Sequence, residues 1–129
     1  MKYFSKSVIL FGLVVLPYVN ALGGELKLEN LLSEDLEGAS GIEVIVSRVY
    51  IPANTSLPKH WHPGEEFVYI LKGSATLWQK GKSDILVEEG EVFKIPLEQV
   101  HTAITGNEGV SALVFRVHEK GKPERVTAE

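Results

Sequence analysis

The chain has no cysteine among its 129 residues. This absence excludes disulfide bonds, thiolate metal ligands, a thiol nucleophile and a lipid-modified cysteine anchor. Basic residues are also few, 13 against 17 acidic ones, which gives a formal net charge of −4 at pH 7. An acidic chain without a basic stripe lacks the charge that attracts phosphate backbones. We therefore expect no nucleic-acid partner.

Long apolar runs are missing as well, apart from one near the amino terminus. Two lysines begin residues 1–21, nine apolar residues follow at 8–16, and small residues close the segment at 19–21. A membrane-spanning helix needs about 20 apolar residues, and Pro17 interrupts this run too early. This order predicts a cleaved signal peptide, residues 1–21. We expect an exported protein, periplasmic or secreted, with no membrane attachment after cleavage.

Helical periodicity is the third absence, because no amphipathic stretch of a dozen residues occurs. The chain after the signal consists of short apolar runs separated by glycine and proline, a pattern typical of an all-β sandwich or barrel. With 44% apolar and 23% charged residues, it has the composition of one soluble globular domain. The strand predictions are Ile42–Ile51, Phe67–Leu71, Ser74–Gln79, Ile85–Glu88, Val92–Ile95, Val100–Ile104 and Ser111–His118, with breaks at Gly73, Gly81, Gly90, Pro96, Gly106 and Gly109.

These patterns divide the mature chain into three parts. Residues 22–41 are a lead-in, in which the leucines of 26–36 indicate either a short strand or irregular structure, followed by a turn. Residues 42–118 form the predicted barrel. Residues 119–129 form a carboxy-terminal tail, in which residues 120–124 are expected to be an exposed end.

Three of the four histidines lie in one group of metal-binding residue types. His60 and His62 are one residue apart, Glu66 follows, and His101 is further along the chain. Side chains alternate faces along a strand, so the first three share one parity while Trp61 has the other. Neutral imidazole and carboxylate are ligands for borderline metal ions. A neighbouring antiparallel strand that carries His101 would complete a four-ligand set.

The first half of this pattern has fixed spacing. Five residues separate Asn54 from His60, three separate His62 from Glu66, and six separate Glu66 from Gly73. The segment resembles the first motif of the cupins, in which a glycine occupies the place of Asn54. This replacement is mild, because asparagine tolerates the left-handed backbone conformation that glycine supplies.

The second half resembles the other cupin motif. Gly90, Pro96 and His101 keep their spacing, whereas Glu98 replaces a glycine and Thr105 replaces an asparagine. Thr105 still has a hydroxyl with which to hydrogen-bond its turn. Glutamate at position 98 is costly if the loop needs a positive φ angle. If the loop does not, Glu98 places a carboxylate three residues before a ligand.

The chain is thus similar to the cupins from Asn54 to Thr105. The resemblance implies a double-stranded β-helix, or jelly-roll barrel. It also implies a divalent transition metal (Fe, Mn, Ni, Co, Cu or Zn) bound by His60, His62, Glu66 and His101. None of the departures from the motifs removes one of these ligands.

Glu65 adjoins this group in the sequence, and His118 lies outside it. We expect Glu65 either to face solvent or to hydrogen-bond a neighbouring imidazole. His118, the remaining histidine, is expected to be a surface or rim residue near the chain end.

The resemblance implies a metal-dependent oxidoreductase of the dioxygenase type, acting on a small organic molecule such as an enol or phenol. Glu98 is the candidate catalytic proton acceptor, with Glu65 as the other choice. The alternative is a non-catalytic module that binds a small ligand with its metal, and a third option is a zinc-type isomerase or hydrolase. Fold alone does not decide among them. A homodimer is expected, because the edge strands of a small barrel need cover.

Overall fold

The computed structural model describes residues 24–129. The predicted signal peptide, residues 1–21, lies outside them, so export stays a prediction. Within the described range, no helix is long and apolar enough to cross a membrane.

The described chain folds into antiparallel β-structure. Nine strands lie within residues 24–129: β1 (Lys27–Asp35), β2 (Ile42–Ile51), β3 (His60–Trp61), β4 (Gly64–Gln79), β5 (Ile85–Glu88), β6 (Val92–Ile95), β7 (His101–Ile104), β8 (Val110–Glu119) and β9 (Val126–Thr127). The sheet runs in the order β1-β2-β8-β4-β7-β3-β9, and β5 and β6 also pair with β4. The prediction of an all-β barrel is confirmed.

Strand β4 is the central element of this sheet. The sequence predicted two strands with a break at Gly73, and this was wrong, because β4 continues through it from Gly64 to Gln79. Gly73 has a φ angle of +78°, and an added Cβ would collide with the carbonyl oxygen of Gly109. Before this residue β4 pairs with β6 and β8, and after it with β5 and β7. Glycine lets the strand bend here and change its partner strands while the strand itself continues.

The core follows from alternation along the long strands. Residues of β4 alternate between buried and partly exposed positions, so that Val68 and Ile70 before the bend, and Ala75 and Leu77 after it, point inward. The side chains that complete the apolar interior are Ile51, Leu57, Val87, Ile95, Val110, Ala112 and Val114. By contrast, β1 is exposed along its whole length.

The four positions at which the cupin motifs have glycine all adopt a positive φ angle. Asn54 and Glu98 have φ angles of 52° and 57°, and Gly73 and Gly90 have 78° and 85°. The loop at Glu98 therefore requires a left-handed conformation. For glutamate, this left-handed conformation costs about 1–2 kcal/mol more than for glycine.

We predict that Glu98→Gly stabilises the protein. Relief of the left-handed conformation outweighs the extra freedom that glycine gives the unfolded chain, leaving a gain of about 0.5–1 kcal/mol. Urea unfolding of the two proteins measures the difference. Glu89→Gly is the matched control, because Glu89 is exposed and is not among the residues with positive φ. It should be neutral or destabilising, and equal effects of the two changes would contradict this explanation.

Candidate metal centre

Two strands bring the histidines together. His60 on β3 is the direct cross-strand partner of His101 on β7, and His62 follows at the end of β3. All three residues are 3% exposed. One ligand nitrogen from each lies within 4.8 Å of the others, a spacing that allows one metal ion to contact all three.

Backbone carbonyls fix the orientation of each imidazole. A carbonyl oxygen only accepts hydrogen bonds, so the Nδ1 atom facing it must carry the proton of a neutral ring. The acceptors are Pro58 O at 2.7 Å for His60, Gln99 O at 2.8 Å for His101, and Glu124 O for His62. Each Nε2 atom therefore presents a lone pair, which is the arrangement found around histidine ligands.

The donor set fits a metal cation. His62 Nε2 is buried and has no hydrogen-bond partner among the described residues. It lies 3.0 Å from Glu66 Oε2. With the proton on Nδ1, two lone pairs would face each other inside the protein, which is unfavourable without a cation between or beside them. A divalent ion held by the three imidazoles would satisfy both atoms.

Burial favours the neutral form of two of the imidazoles, His60 and His101. It lowers the pKa of His60 to about 4, an effect that the hydrogen bond to Pro58 opposes and the neighbouring His101 reinforces. Burial likewise lowers the pKa of His101 from its ordinary value, although the charge of Glu66 opposes this. Neutral imidazole is the form that binds metal, so no proton has to be removed from His60 near pH 7.

Glu66, the predicted carboxylate ligand, is held beside the histidines. Its Oε2 atom accepts a hydrogen bond from Arg116 Nε at 2.8 Å, and its Oε1 atom lies 3.9 Å from His101 Nε2. Burial alone would raise the pKa of this carboxyl, but the charge of Arg116, which donates a hydrogen bond to it, holds the pKa well below its usual range. Glu66 is thus an anion next to the centre, and direct coordination by it stays a prediction.

A cavity of about 80 Å³ adjoins this group. Most of its wall consists of the apolar core side chains, and its polar side chains are His60, Glu66, His101, Arg116 and Arg125. Taking the ~10–15 Å³ that one water molecule needs, the cavity has room for roughly five to eight non-hydrogen atoms. The site therefore fits a small, mostly apolar molecule.

Neither arginine of the cavity was predicted from the sequence. Arg116 on β8 has the same parity as the buried Ala112 and Val114, so strand alternation alone could have placed it inside the barrel. Arg125 carries no comparable local signal. It lies in the predicted carboxy-terminal tail, and its side chain is exposed, but it also lines the cavity because β9 pairs with β3 and Glu124 O accepts the hydrogen bond from His62.

The other singled-out residues lie away from the cavity. Glu65 forms a surface ion pair with Lys94 at 2.8 Å, which is the solvent-facing alternative. Glu98 is exposed and is not among the residues that line the cavity, so its role as a proton acceptor stays a prediction. The surface position expected for His118 was wrong. This side chain is fully buried, because it points inward from β8 and the chain at Pro123 covers it, 3.1 Å from its Nε2 atom.

We predict that replacing a histidine of the group by alanine removes a metal ligand. His60→Ala, His62→Ala and His101→Ala should each weaken zinc or cobalt binding at least about 100-fold, because loss of even an outer partner of a ligand costs 10–100-fold. Calorimetric titration and metal content after dialysis measure this. His118→Ala is the control and should keep its metal once circular dichroism shows that it is folded. Equal metal loss in all four variants would contradict the assignment.

Stability without metal should fall in acid. The unfolded chain protonates His60 below about pH 6.5, whereas the folded chain resists protonation until about pH 4. The unfolded state therefore binds more protons in this window, and the free energy of unfolding should decrease by up to about 3 kcal/mol as the pH falls through it. Denaturant unfolding of chelator-treated protein tests this. His60→Asn should show a shallower decline, and parallel profiles would count against the buried neutral imidazole.

Comparison with known proteins agrees with this geometry. The sequence matches the family described as Cupin domain over residues 47–116, more than half of the chain. A search of curated proteins finds no match. Similar solved structures include the DMSP lyase DddQ from Ruegeria pomeroyi, with 26% identity and a TM-score of 0.69 over 80% of this chain and 51% of that one.

Two others are a cupin from Methanocaldococcus jannaschii with a double-stranded β-helix fold and the polyketide cyclase RemF from Streptomyces resistomycificus. The first has 18% identity and a TM-score of 0.62, covering 78% of this chain and 85% of its own. The second has 23% identity and a TM-score of 0.57, covering 76% and 81%. The chain spans about half the length of the Ruegeria lyase. The expected double-stranded β-helix is confirmed, and the chain belongs to the cupin family.

Proposed function

We propose that this cupin is a metal-dependent oxidoreductase of the dioxygenase type that acts on a small organic molecule. One observation carries the proposal: three imidazoles have ligand nitrogens within 4.8 Å of one another, and two of them, His60 and His101, line the polar end of an apolar cavity. His60, His62 and His101 would hold the metal, with Glu66 beside them. An open-shell ion such as iron, manganese, nickel, cobalt or copper supplies redox chemistry toward O₂ when bound.

The remaining side chains favour chemistry that needs no protein base. Within residues 24–129, the titratable groups that line the cavity are two histidines of the metal group, Glu66 and two arginines. Glu66 is already paired with Arg116, and guanidinium groups stay protonated in proteins. General-base catalysis would first require Glu66 to leave that pair. The apolar wall and the small volume of the cavity favour a small substrate.

A metal-dependent lyase is the second candidate. It is favoured by the 26% identity to the DMSP lyase DddQ, although this chain spans only half of that protein. A lyase reaction needs a proton acceptor near the substrate, and Glu66 is the carboxylate that lines the cavity. The two candidates differ in their need for O₂.

Oxygen dependence therefore tests the proposal. Protein loaded with iron, manganese, nickel or copper should consume O₂ in the presence of a catechol or a 1,3-diketone, as measured with an oxygen electrode. His101→Ala treated with the same metals is the control and should be inactive, because it lacks a ligand.

Anaerobic incubation separates the alternatives. Loss of DMSP or another substrate without O₂ would support the lyase and overturn the oxidoreductase. Binding of the panel without chemical change, seen as a rise in melting temperature, would identify a non-catalytic binding module.

We also propose a homodimer that forms through the outer face of the sheet. Phe115 on β8 lies opposite Phe67 on β4, and Tyr69 lies opposite Val92 on β6. Phe115, Tyr69 and Val92 are 41%, 42% and 68% exposed. Large exposed apolar patches of this kind mark interaction surfaces.

Phe115→Glu should convert the dimer to a monomer, because a charge at the centre of an apolar interface is costly to bury. Light scattering coupled to size-exclusion chromatography measures the mass. Leu86→Glu is the control, since Leu86 is 60% exposed on β5 and does not belong to the patch. A monomeric parent protein would overturn the proposed dimer.

A further inference from the structure

Two guanidinium groups face the polar end of the cavity. Arg116 comes from β8 and is 3% exposed, while Arg125 comes from the carboxy-terminal segment and is exposed to solvent on its outer side. Glu66 is the one carboxylate among the described residues that line the cavity, and it is bonded to Arg116. The lining side chains thus carry a net positive charge before any metal is bound, which favours an anionic ligand.

Arg116 has donor capacity that the protein leaves unused. Its Nε atom donates to Glu66, but its buried Nη1 atom has no hydrogen-bond partner within the described chain. Glu124 Oε2 lies 3.8 Å from Nη1, too far for a hydrogen bond. A buried charged donor without an acceptor is unfavourable, so an acceptor from a bound molecule is expected here.

Arg125 is positioned by its neighbours rather than by a carboxylate. No ion pair of Arg125 occurs within residues 24–129, although its side chain lines the cavity. On one side Glu124 O is held by His62, and on the other Val126 pairs with Trp61. Arg125 is exposed to solvent, but loss of water at the cavity wall and the nearby charge of Arg116 lower its pKa from the ordinary value, while Glu66 and Glu124 oppose this. An anion between the two groups would relieve their repulsion.

We infer that Arg116 and Arg125 form a carboxylate-binding subsite, and that the ligand of this cupin is a small monocarboxylate with an apolar tail. Guanidinium groups match the two oxygens of a carboxylate in geometry and charge. The apolar wall accepts the tail, and the cavity volume of about 80 Å³ limits its length. The assignment of this ligand class as the substrate rests on the proposed function, whereas its binding does not.

Butyrate is the probe, because its six non-hydrogen atoms fall within the roughly five to eight that the cavity holds. Butyramide, of the same size and without charge, is the matched ligand. Both are titrated into the zinc-loaded protein and into chelator-treated protein by calorimetry or ligand-observed NMR. We expect butyrate to bind at least about tenfold more tightly than butyramide, as a charged hydrogen bond implies.

Arg125→Gln should weaken butyrate binding about tenfold with little effect on butyramide. Arg48→Gln is the control variant: it removes the same charge, but from an exposed side chain paired with Glu29 on β1. It should bind butyrate like the parent protein. Arg125→Lys, which keeps the charge without the planar fork, should fall between the parent and Arg125→Gln.

The remaining outcomes separate this subsite from the metal centre. Butyrate binding that needs zinc but ignores Arg125→Gln would overturn the subsite and leave the proposed function standing. Binding that depends on Arg125 in a protein that takes up no zinc would support the subsite and overturn the proposed function. No butyrate binding by the parent protein, or equal affinity for butyramide, would overturn the inference.

Discussion

The rest of the fold depends on the bend of β4 at Gly73. The backbone of Gly109 passes so close that no Cβ fits, and the φ angle of +78° is one that side-chain-bearing residues rarely adopt. One strand can therefore pair with β6 and β8 before the bend and with β5 and β7 after it. Every second side chain points inward in both halves of β4, so the bent strand contributes to one apolar interior on both sides of Gly73. Glu66, from the first half, lines the cavity together with apolar side chains from both halves.

The three histidines His60, His62 and His101 lie inside this barrel. Three imidazoles are buried, and each is oriented by a hydrogen bond from Nδ1 to a backbone carbonyl. One of these carbonyls belongs to Glu124, only five residues before the carboxy terminus. The carboxy-terminal segment therefore helps to build the site, because it orients His62 and brings Arg125 to the cavity.

The charged side chains that line the cavity determine which ligands it favours. Glu66 is bonded to Arg116, so the anion nearest the imidazoles is partly neutralised by a cation of the protein. A metal held by three neutral imidazoles would retain its positive charge and, together with the two arginines, would favour an anionic molecule. The family likeness is neutral on this point, since the same barrel occurs in proteins named as a lyase and as a polyketide cyclase.

Local patterns in the sequence predicted the all-β fold, most strand positions and the grouping of three histidines. They could do so because strand alternation and motif spacing are short-range properties. They also placed Asn54 and Glu98 where the family has glycine, but only the structure showed that both adopt a positive φ angle. The continuity of β4, the burial of His118 and the entry of Arg116 and Arg125 required the tertiary structure. The physical reason is that each depends on contacts between residues far apart in the chain: Gly73 with Val110, His118 with Glu43, and His62 with Glu124. The spacing of residues in the sequence located the three histidines, and the packing of the chain decided which charged side chains surround them.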